Sequence, residues 1–280
     1  MGALKKSRLI LIFLLLGNQG ISQSVSALMG ARGAGMGYAS STLRDEWALF
    51  NNVGGLAKVN QPIAAFAYEV LPGLTGANRT AALFSTPLGI GVIGFGMFRF
   101  GDDLYNEQII SAGYSNQFGI ASLGLKLNYI QYRADGFGVR SALSLNFGGI
   151  AQITPLFLVG AYIVNLNQPK LSTVDKERLP TKLVVGMSFK PGEKVFIATE
   201  IEKDLEFDPT LKAGIDYQLH KKIYFRTGFN FHPNAAFFGI GFVVKKIKID
   251  YSLQYSSILT SGNQASAVYR FEKRNKNHGK

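Results

Sequence analysis

The chain has 280 residues, with 30 Lys and Arg against 18 Asp and Glu, a formal charge of +12 and no cysteine. The absence of thiols excludes disulfides and thiolate metal sites. The basic excess is scattered through strand-like segments and turns, with no helix or compact block to follow a phosphate backbone, which argues against nucleic acid as a partner.

Lys5, Lys6 and Arg8 precede an apolar run from Leu9 to Leu16, and Val25-Ser26-Ala27 ends in small residues. This is the order of a secretory signal peptide over residues 1–27, and its apolar run is too short to span a bilayer as a helix. Cleavage near Ser22 or Gln23 satisfies the same pattern. Losing Lys5, Lys6 and Arg8 with the leader leaves a charge of +9. No later segment offers about 18 uninterrupted apolar residues, so an inner-membrane protein is not expected.

Residues 28–60 are unlike everything downstream. Gly30, Gly33, Gly35 and Gly37 permit close backbone approach and positive φ. Ser41 or Thr42 can cap a short helix through Arg44–Leu49, which Asn51-Asn52 and Gly54-Gly55 would stop. Strand-like segments follow without a second compact domain, so residues 28–60 read as an N-terminal plug inside a barrel. The glycine-rich GARGAGMG followed by ALFNNVGGLA resembles the start of the long-chain fatty acid transporter superfamily of outer-membrane barrels. It is similar in particular to the PorV/PorQ-like branch, which is associated with type IX secretion. Beside Gly33, Gly35 and Gly37, the residues Phe50, Asn52, Gly55 and Leu56 match that branch's aromatic-x-Asn-Pro-Ala-Gly-Leu stretch, while Val53 and Gly54 replace its Pro and Ala. The resemblance implies a barrel of fourteen strands.

From Gln61 onward about fourteen segments of roughly ten residues can be counted, the length of a tilted membrane-spanning strand. They begin near Gln61, Ala77, Leu88, Tyr105, Phe118, Phe137, Pro155, Thr181, Glu193, Phe207, Lys221, Ala235, Ile247 and Asn263. Several alternate cleanly. Ile247, Ile249, Tyr251, Leu253 and Tyr255 oppose Lys248, Asp250, Ser252 and Gln254, and Leu183, Val185, Met187 and Phe189 oppose Lys182, Val184, Gly186 and Ser188. Period two with one apolar face fits a strand between lipid and a wet lumen.

The connections alternate longer and shorter, with short ones at Thr86-Pro87, Asn116-Gln117, Ile153-Thr154, Lys190–Gly192, Leu219–Lys221 and Lys245-Lys246. An even strand number then puts both termini on the short-turn, periplasmic side. The fold class expected is all-β: an antiparallel transmembrane barrel over residues 61–272 with a short plug containing a small helix, ending in a disordered basic tail, 273–280. The longer connections and their rims are acidic on balance. The shorter ones hold Lys190, Lys194, Lys221, Lys222, Lys245, Lys246 and Lys248 against Glu193 alone. These lysines either keep turns soluble or form a basic rim for anionic lipid or an acidic partner.

Gly89, Gly91 and Gly94 spell GxGxxG, but the dinucleotide fingerprint needs a helix after it, and Gly96-Met97-Phe98 continue a strand. In the resembled transporters a kinked third strand makes a side opening. This glycine-rich segment is the third here, so Gly89, Gly91, Gly94 and Gly96 are candidates for a lateral opening; alternatively they make room for the plug. His220, His232 and His278 lack metal-site spacing. Asp102-Asp103 and Glu200 with Glu202 are paired carboxylates, read as a solvated loop and a lumenal salt-bridge ladder rather than glycosidase chemistry. No Ser-His-Asp order, GxSxG elbow or P-loop appears, so neither enzyme nor cofactor is expected.

The polar inward face is mixed in sign: Lys182, Glu200, Lys212, Asp216, Arg226, Asn230, Lys248, Asp250, Arg270 and Glu272. The residues Asn167–Pro180 form the one connection long enough to fold inward. Two functions remain. The one the PorV/PorQ-like plug favours is an accessory barrel of a type IX-like secretion system, meeting exported substrates or secretion proteins. The other is a passive outer-membrane transporter for small hydrophobic molecules.

Overall fold

The computed structural model describes residues 26–171, 178–204, 208–256 and 261–272; most of the expected leader and the whole basic tail lie outside them. Fourteen strands form one closed antiparallel barrel. They are β1 (Ile63–Val70), β2 (Arg79–Leu88), β3 (Gly91–Gly101), β4 (Tyr105–Phe118), β5 (Ala121–Ala134), β6 (Gly138–Thr154), β7 (Phe157–Val164), β8 (Lys182–Gly192), β9 (Val195–Asp204), β10 (Thr210–His220), β11 (Ile223–Phe231), β12 (Ala235–Val244), β13 (Ile247–Ser256) and β14 (Gly262–Arg270). Each pairs with its chain neighbours, and β1 closes on β14 from Ile63↔Arg270 to Val70↔Asn263. Closure leaves no unpaired edge, which the hydrocarbon core demands.

The side chains divide by parity. On β13, Ile247 is 44% exposed and Ile249 51%, while Lys248 and Asp250, which alternate with them, are 7% and 0% exposed. A barrel that turns its large apolar residues outward and its charges inward has lipid for its outer solvent. It is a transmembrane barrel of the outer-membrane type.

Every connection at one end is two residues long: 89–90, 119–120, 155–156, 193–194, 221–222 and 245–246. Those at the other end are longer, up to 165–181. The turns at 89–90 and 119–120 fall three residues beyond the expected dipeptides and 155–156 two beyond, while 245–246 is where Lys245-Lys246 was expected. Strand pairing runs through Pro87, opposite Val92, and through Asn116 and Gln117. Pairing stops where Gly89 (φ +61°) and Gly119 (φ +55°) supply the left-handed conformation a tight hairpin needs. Three register shifts, at Gln152/Thr154, Phe189/Gly192 and Gln218/His220, all lie near the short-turn end. Of the expected basic rim, Lys248 belongs elsewhere, since it points inward from β13. Glu272 is exposed beyond β14 and pairs with Lys246, so it is not a lumenal residue.

Residues 26–60 fill the lumen, but the small helix is not where the capping pattern put it. The helix α1 is Ala31–Gly35, residues 41–50 wind as turns, and a 3-10 helix spans Val53–Lys58. Ser41 does not open a helix: its carbonyl, which would accept the first intrahelical bond, is taken by the Asn52 side-chain amide at 2.6 Å, while the Ser40 and Ser41 amides both donate to the Glu200 carboxylate, at 2.9 and 2.7 Å. Asn52, expected as a stop, starts the 3-10 helix instead by accepting from the Gly54 amide at 3.0 Å.

The lumen is therefore packed rather than wet. Met29, Trp47, Leu49, Phe50 and Leu56 of the plug form one apolar cluster with Val92, Phe98, Ile109 and Ile130 of the wall and Leu179 of the 165–181 connection. That connection does fold inward: Leu179 is buried, and its amide donates to the Pro169 carbonyl at 2.9 Å. A second cluster joins Met36, Ala39 and Leu43 to Ile150, Leu158 and Phe196.

Candidate functional site

The charged inward face is an ordered ladder, and much of it holds the plug. On β8–β10, Lys182 pairs with Glu202 (3.2 Å), and Lys212 reaches both Glu202 (2.5 Å) and Glu200 (3.1 Å). On β10–β13, Arg226 bridges Asp216 (3.1 Å) and Asp250 (2.7 Å). The plug enters this ladder twice. Arg32 of α1 donates to Asp216 (2.8 Å) and to its own neighbour Asp45 (3.2 Å); burial lowers its pKa, but the two carboxylates outweigh that and raise it above the usual arginine value. Glu46 lies between Lys248 (3.3 Å) and Arg270, which donates to it through Nε and Nη2. Burial works to raise the Glu46 pKa, yet Lys248 and Arg270 prevail and hold it well below the ordinary carboxylate range. Glu200 and Glu202 thus serve as anchors, Glu200 for two backbone amides as well as for Lys212.

The plug motif residues touch the wall in different ways. Gly37 takes a positive φ (+65°) beside Asn230 and the Phe229 backbone. A Cβ on Gly35 would stand 3.0 Å from Cα of Gly239, whereas Gly33 has ordinary room. Gly55 is wedged beneath the Leu43 carbonyl and the Ala48 side chain, and Leu56 is fully buried. The Asn52 amide donates to the Ser41 carbonyl within the plug (2.6 Å) and to the Gly149 carbonyl of β6 (3.0 Å), stapling plug to wall.

The glycines of the third strand do not share one surface. Gly89 is in the turn, and Gly91 faces outward beneath the Tyr114 ring. Gly94 and Gly96 face inward, where a Cβ on Gly96 would meet Phe50 Cζ at 2.8 Å and Leu49 Cδ2 at 2.9 Å. β3 is paired along its whole length, from Gly91↔Asn116 to Gly101↔Asn106 on one side and from Leu88↔Gly91 to Arg79↔Phe100 on the other.

Two hollows lie in line from the long-loop mouth. β4, β5 and β6 run to 14, 14 and 17 residues, longer than the roughly ten a tilted strand needs to cross the membrane. Their outer ends, with the 165–181 connection, surround a hollow of about 290 Å³ lined by Tyr105, Tyr132, Phe137, Arg140, Leu171 and Arg178. Leu179 and Pro180 floor it. Beneath Pro180 is an inner chamber of about 90 Å³ between the plug residues Ala27, Leu28 and Phe50 and the wall residues Ile109, Ile130, Val164 and Val184, with Asn128, Asn146, Asn165 and Glu202 among its polar lining. Lys126 completes this wall. Its side chain is buried, its Nζ lies 5.9 Å from the Phe50 ring centroid, and among the described residues it has no carboxylate partner.

Two groups escaped the sequence reading. Glu69 and Arg79 are direct cross-strand partners on either side of the first long connection. They ion-pair, and Glu69 also accepts from Tyr38 (3.0 Å) and Gln264, closing the plug against the loop end of the wall. Burial, then the Glu69 charge, raises the Tyr38 phenol above its usual pKa. Their symmetric placement about the connection was the available signal. For Lys126 the signal was a lone charge at the inward parity of an apolar segment.

No family profile and no curated protein matches the sequence. Solved structures match the fold. The monoaromatic hydrocarbon channel CymD superposes with a TM-score of 0.70 at 12% identity, covering 90% of this chain and 100% of the channel. The toluene transporter TbuX of Ralstonia pickettii gives 0.62 at 13% identity over 88% of this chain and 99% of its own. A FadL homologue of Pseudomonas aeruginosa gives 0.62 at 12% identity over 89% and 100%. The chain has the fold of the FadL-type outer-membrane barrels.

Proposed function

We propose that the protein is a passive outer-membrane transporter for small, mainly apolar molecules, captured at the loop end and passed toward the plug. The observation that carries this reading is that the outer hollow at the loop end adjoins the inner chamber at Pro180, and the inner chamber reaches Phe50 of the plug. A concave, largely apolar site with a few converging polar groups is the usual form of a small-molecule site. The structurally similar CymD is a monoaromatic hydrocarbon channel and TbuX a toluene transporter, which fits a lumen of this kind. The plug is the smaller obstacle to onward passage: a side exit at β3 would break continuous backbone pairing on both its edges.

The PorV/PorQ-like secretion role rests on Phe50, Asn52, Gly55 and Leu56 and on the glycine run. Against it, three of the outer connections (102–104, 135–137 and 232–234) have only three residues, leaving little outer surface for a protein partner. We also infer leader, plug, barrel and tail in the order given by the sequence, with the plug–barrel and barrel–tail boundaries kept and the leader shortened. Cleavage near Ser22 or Gln23 fits better than cleavage after Ala27, because the Ser26 carbonyl accepts from Arg79 (2.9 Å) and Ser26 and Ala27 line the chamber.

Gentle detergent purification of the tagged chain, analysed for lipids, proteins and intact mass, tests these readings together. The transporter reading expects a lone barrel with a defined hydrophobic ligand, lost on Ile130→Trp, which fills the chamber. Recovery of secretion proteins without such a ligand would overturn it. The intact mass reads the cleavage point.

A further inference from the structure

At the opposite, short-turn mouth a second kind of site is built between plug and wall. A hollow of about 350 Å³ is bordered by Arg44 and Lys58 of the plug and by Lys190 of β8. Arg44 donates to Gln152 Oε1 (3.0 Å), and the Lys190 ammonium stands 5.5 Å from the Phe196 ring centroid. None of the three cations has a carboxylate partner among the described residues. Arg32 also borders the hollow, but its guanidinium is taken by Asp45 and Asp216. Arg44 and Lys58 extend into an adjacent hollow beside Asp45 and Glu46, whose carboxylates are engaged by Arg32, Lys248 and Arg270. The plug adds a neutral donor: Thr42 is 2% exposed, and its hydroxyl has no hydrogen-bond partner among the described residues.

Apart from Lys126 in the inner chamber, the lumenal charges described above are matched across the ladder, so three unmatched like charges on one concavity stand out. Arg44 and Lys190 are partly buried and Lys58 is exposed beside them, and the like charges repel one another until an anion joins them. Burial lowers the Arg44 pKa, in line with a guanidinium that lacks a counter-charge.

We propose that this hollow is an oxyanion site that takes a phosphate group. Arg44 presents a planar fork, Lys58 and Lys190 supply point charges, and Thr42 supplies a hydroxyl, a donor set suited to a tetrahedral dianion. The volume leaves room for phosphate with a small organic residue. Because Arg44, Lys58 and Thr42 belong to the plug and Lys190 and Gln152 to the wall, the bound group clamps one to the other. The site is independent of the loop-end chamber, so it stands or falls separately from the transport reading.

The test uses the full mature barrel in detergent, titrated with inorganic phosphate at ionic strength held constant with chloride. Calorimetry is paired with emission from Trp47, the chain's one tryptophan, three residues from Arg44. The expected result is saturable one-site binding that Arg44→Gln and Lys190→Gln each weaken roughly tenfold or more, the loss of one charge-assisted contact. Arg99→Gln at the far mouth should bind as wild type. Lys190 sits on the wall, so its variant answers even if Arg44→Gln disturbs the plug. Competition by soluble glycerol phosphate would identify a free phosphate ester as the source. Competition by phosphatidylglycerol nanodiscs alone, and not by phosphatidylcholine ones, would identify a lipid headgroup. Absence of saturable binding, a titration that chloride reproduces, or variants that bind like wild type would overturn the proposal.

Discussion

Glu46 shows how one side chain can hold a plug. It is nearly buried, and two basic residues from β13 and β14 converge on it. Its depressed pKa carries a sign. A carboxylate more acidic when folded contributes stability that is complete above its unfolded value, about 4.3, and that is lost as pH falls through the folded value. Trp47 emission should therefore hold constant from neutral pH down to the carboxylate range and shift red only in stronger acid. Glu46→Gln removes the charge and leaves Lys248 to Asp250 alone (3.7 Å). It should loosen the plug by about 1–3 kcal/mol and shift the emission at neutral pH. A variant with wild-type emission and unchanged protease resistance in residues 28–60 would refute the anchor.

At the scale of the element, β3 separates two uses of glycine that the sequence had placed together. Gly96 faces the plug, so Gly96→Val should overpack against Phe50 and Leu49, cost about 1–3 kcal/mol and release the plug to protease while the barrel keeps its heat-sensitive mobility on gels. Gly91→Val should instead disturb Tyr114 on the lipid face and leave the plug protected. Equal protease sensitivity in the two variants would contradict this placement. The plug's own elements were harder to read. Ser41 and Thr42 have the chemistry of caps, but the Ser41 carbonyl that would have accepted the first helical bond is held by Asn52, and Glu200, 159 residues away, fixes the Ser41 amide. A local rule yielded to a tertiary contact.

For the whole molecule, the even strand number and the two classes of connection set which mouth faces outward. The chain has no native cysteine, so single substitutions report cleanly. Asp103→Cys, in the 102–104 connection, should react with an impermeant maleimide on intact cells. Lys221→Cys, in the 221–222 turn, should react only after the outer membrane is permeabilised. The reverse pattern would invert the barrel. In the expected orientation the lysines of the short turns face the periplasm, beside the cationic hollow of Arg44, Lys58 and Lys190.

Strand number, strand parity and the sorting of long and short connections were determined by the sequence alone. They follow from period-two alternation between two solvents, a local property repeated fourteen times. The same pattern marked Lys212, Asp216, Arg226, Lys248 and Asp250 as inward. Which charge meets which, and which pairs are shared with the plug, depended on closing the barrel. Closure places Glu46 against Arg270, 224 residues apart. Only the tertiary structure decided that the lumen is packed rather than wet, because the glycines that admit the plug look, in sequence, like any others. It also left Lys126 unmatched in the chamber and Arg44, Lys58 and Lys190 unmatched at the mouth. A residue's lack of a partner is a fact about every element packed around it, and no local pattern records it.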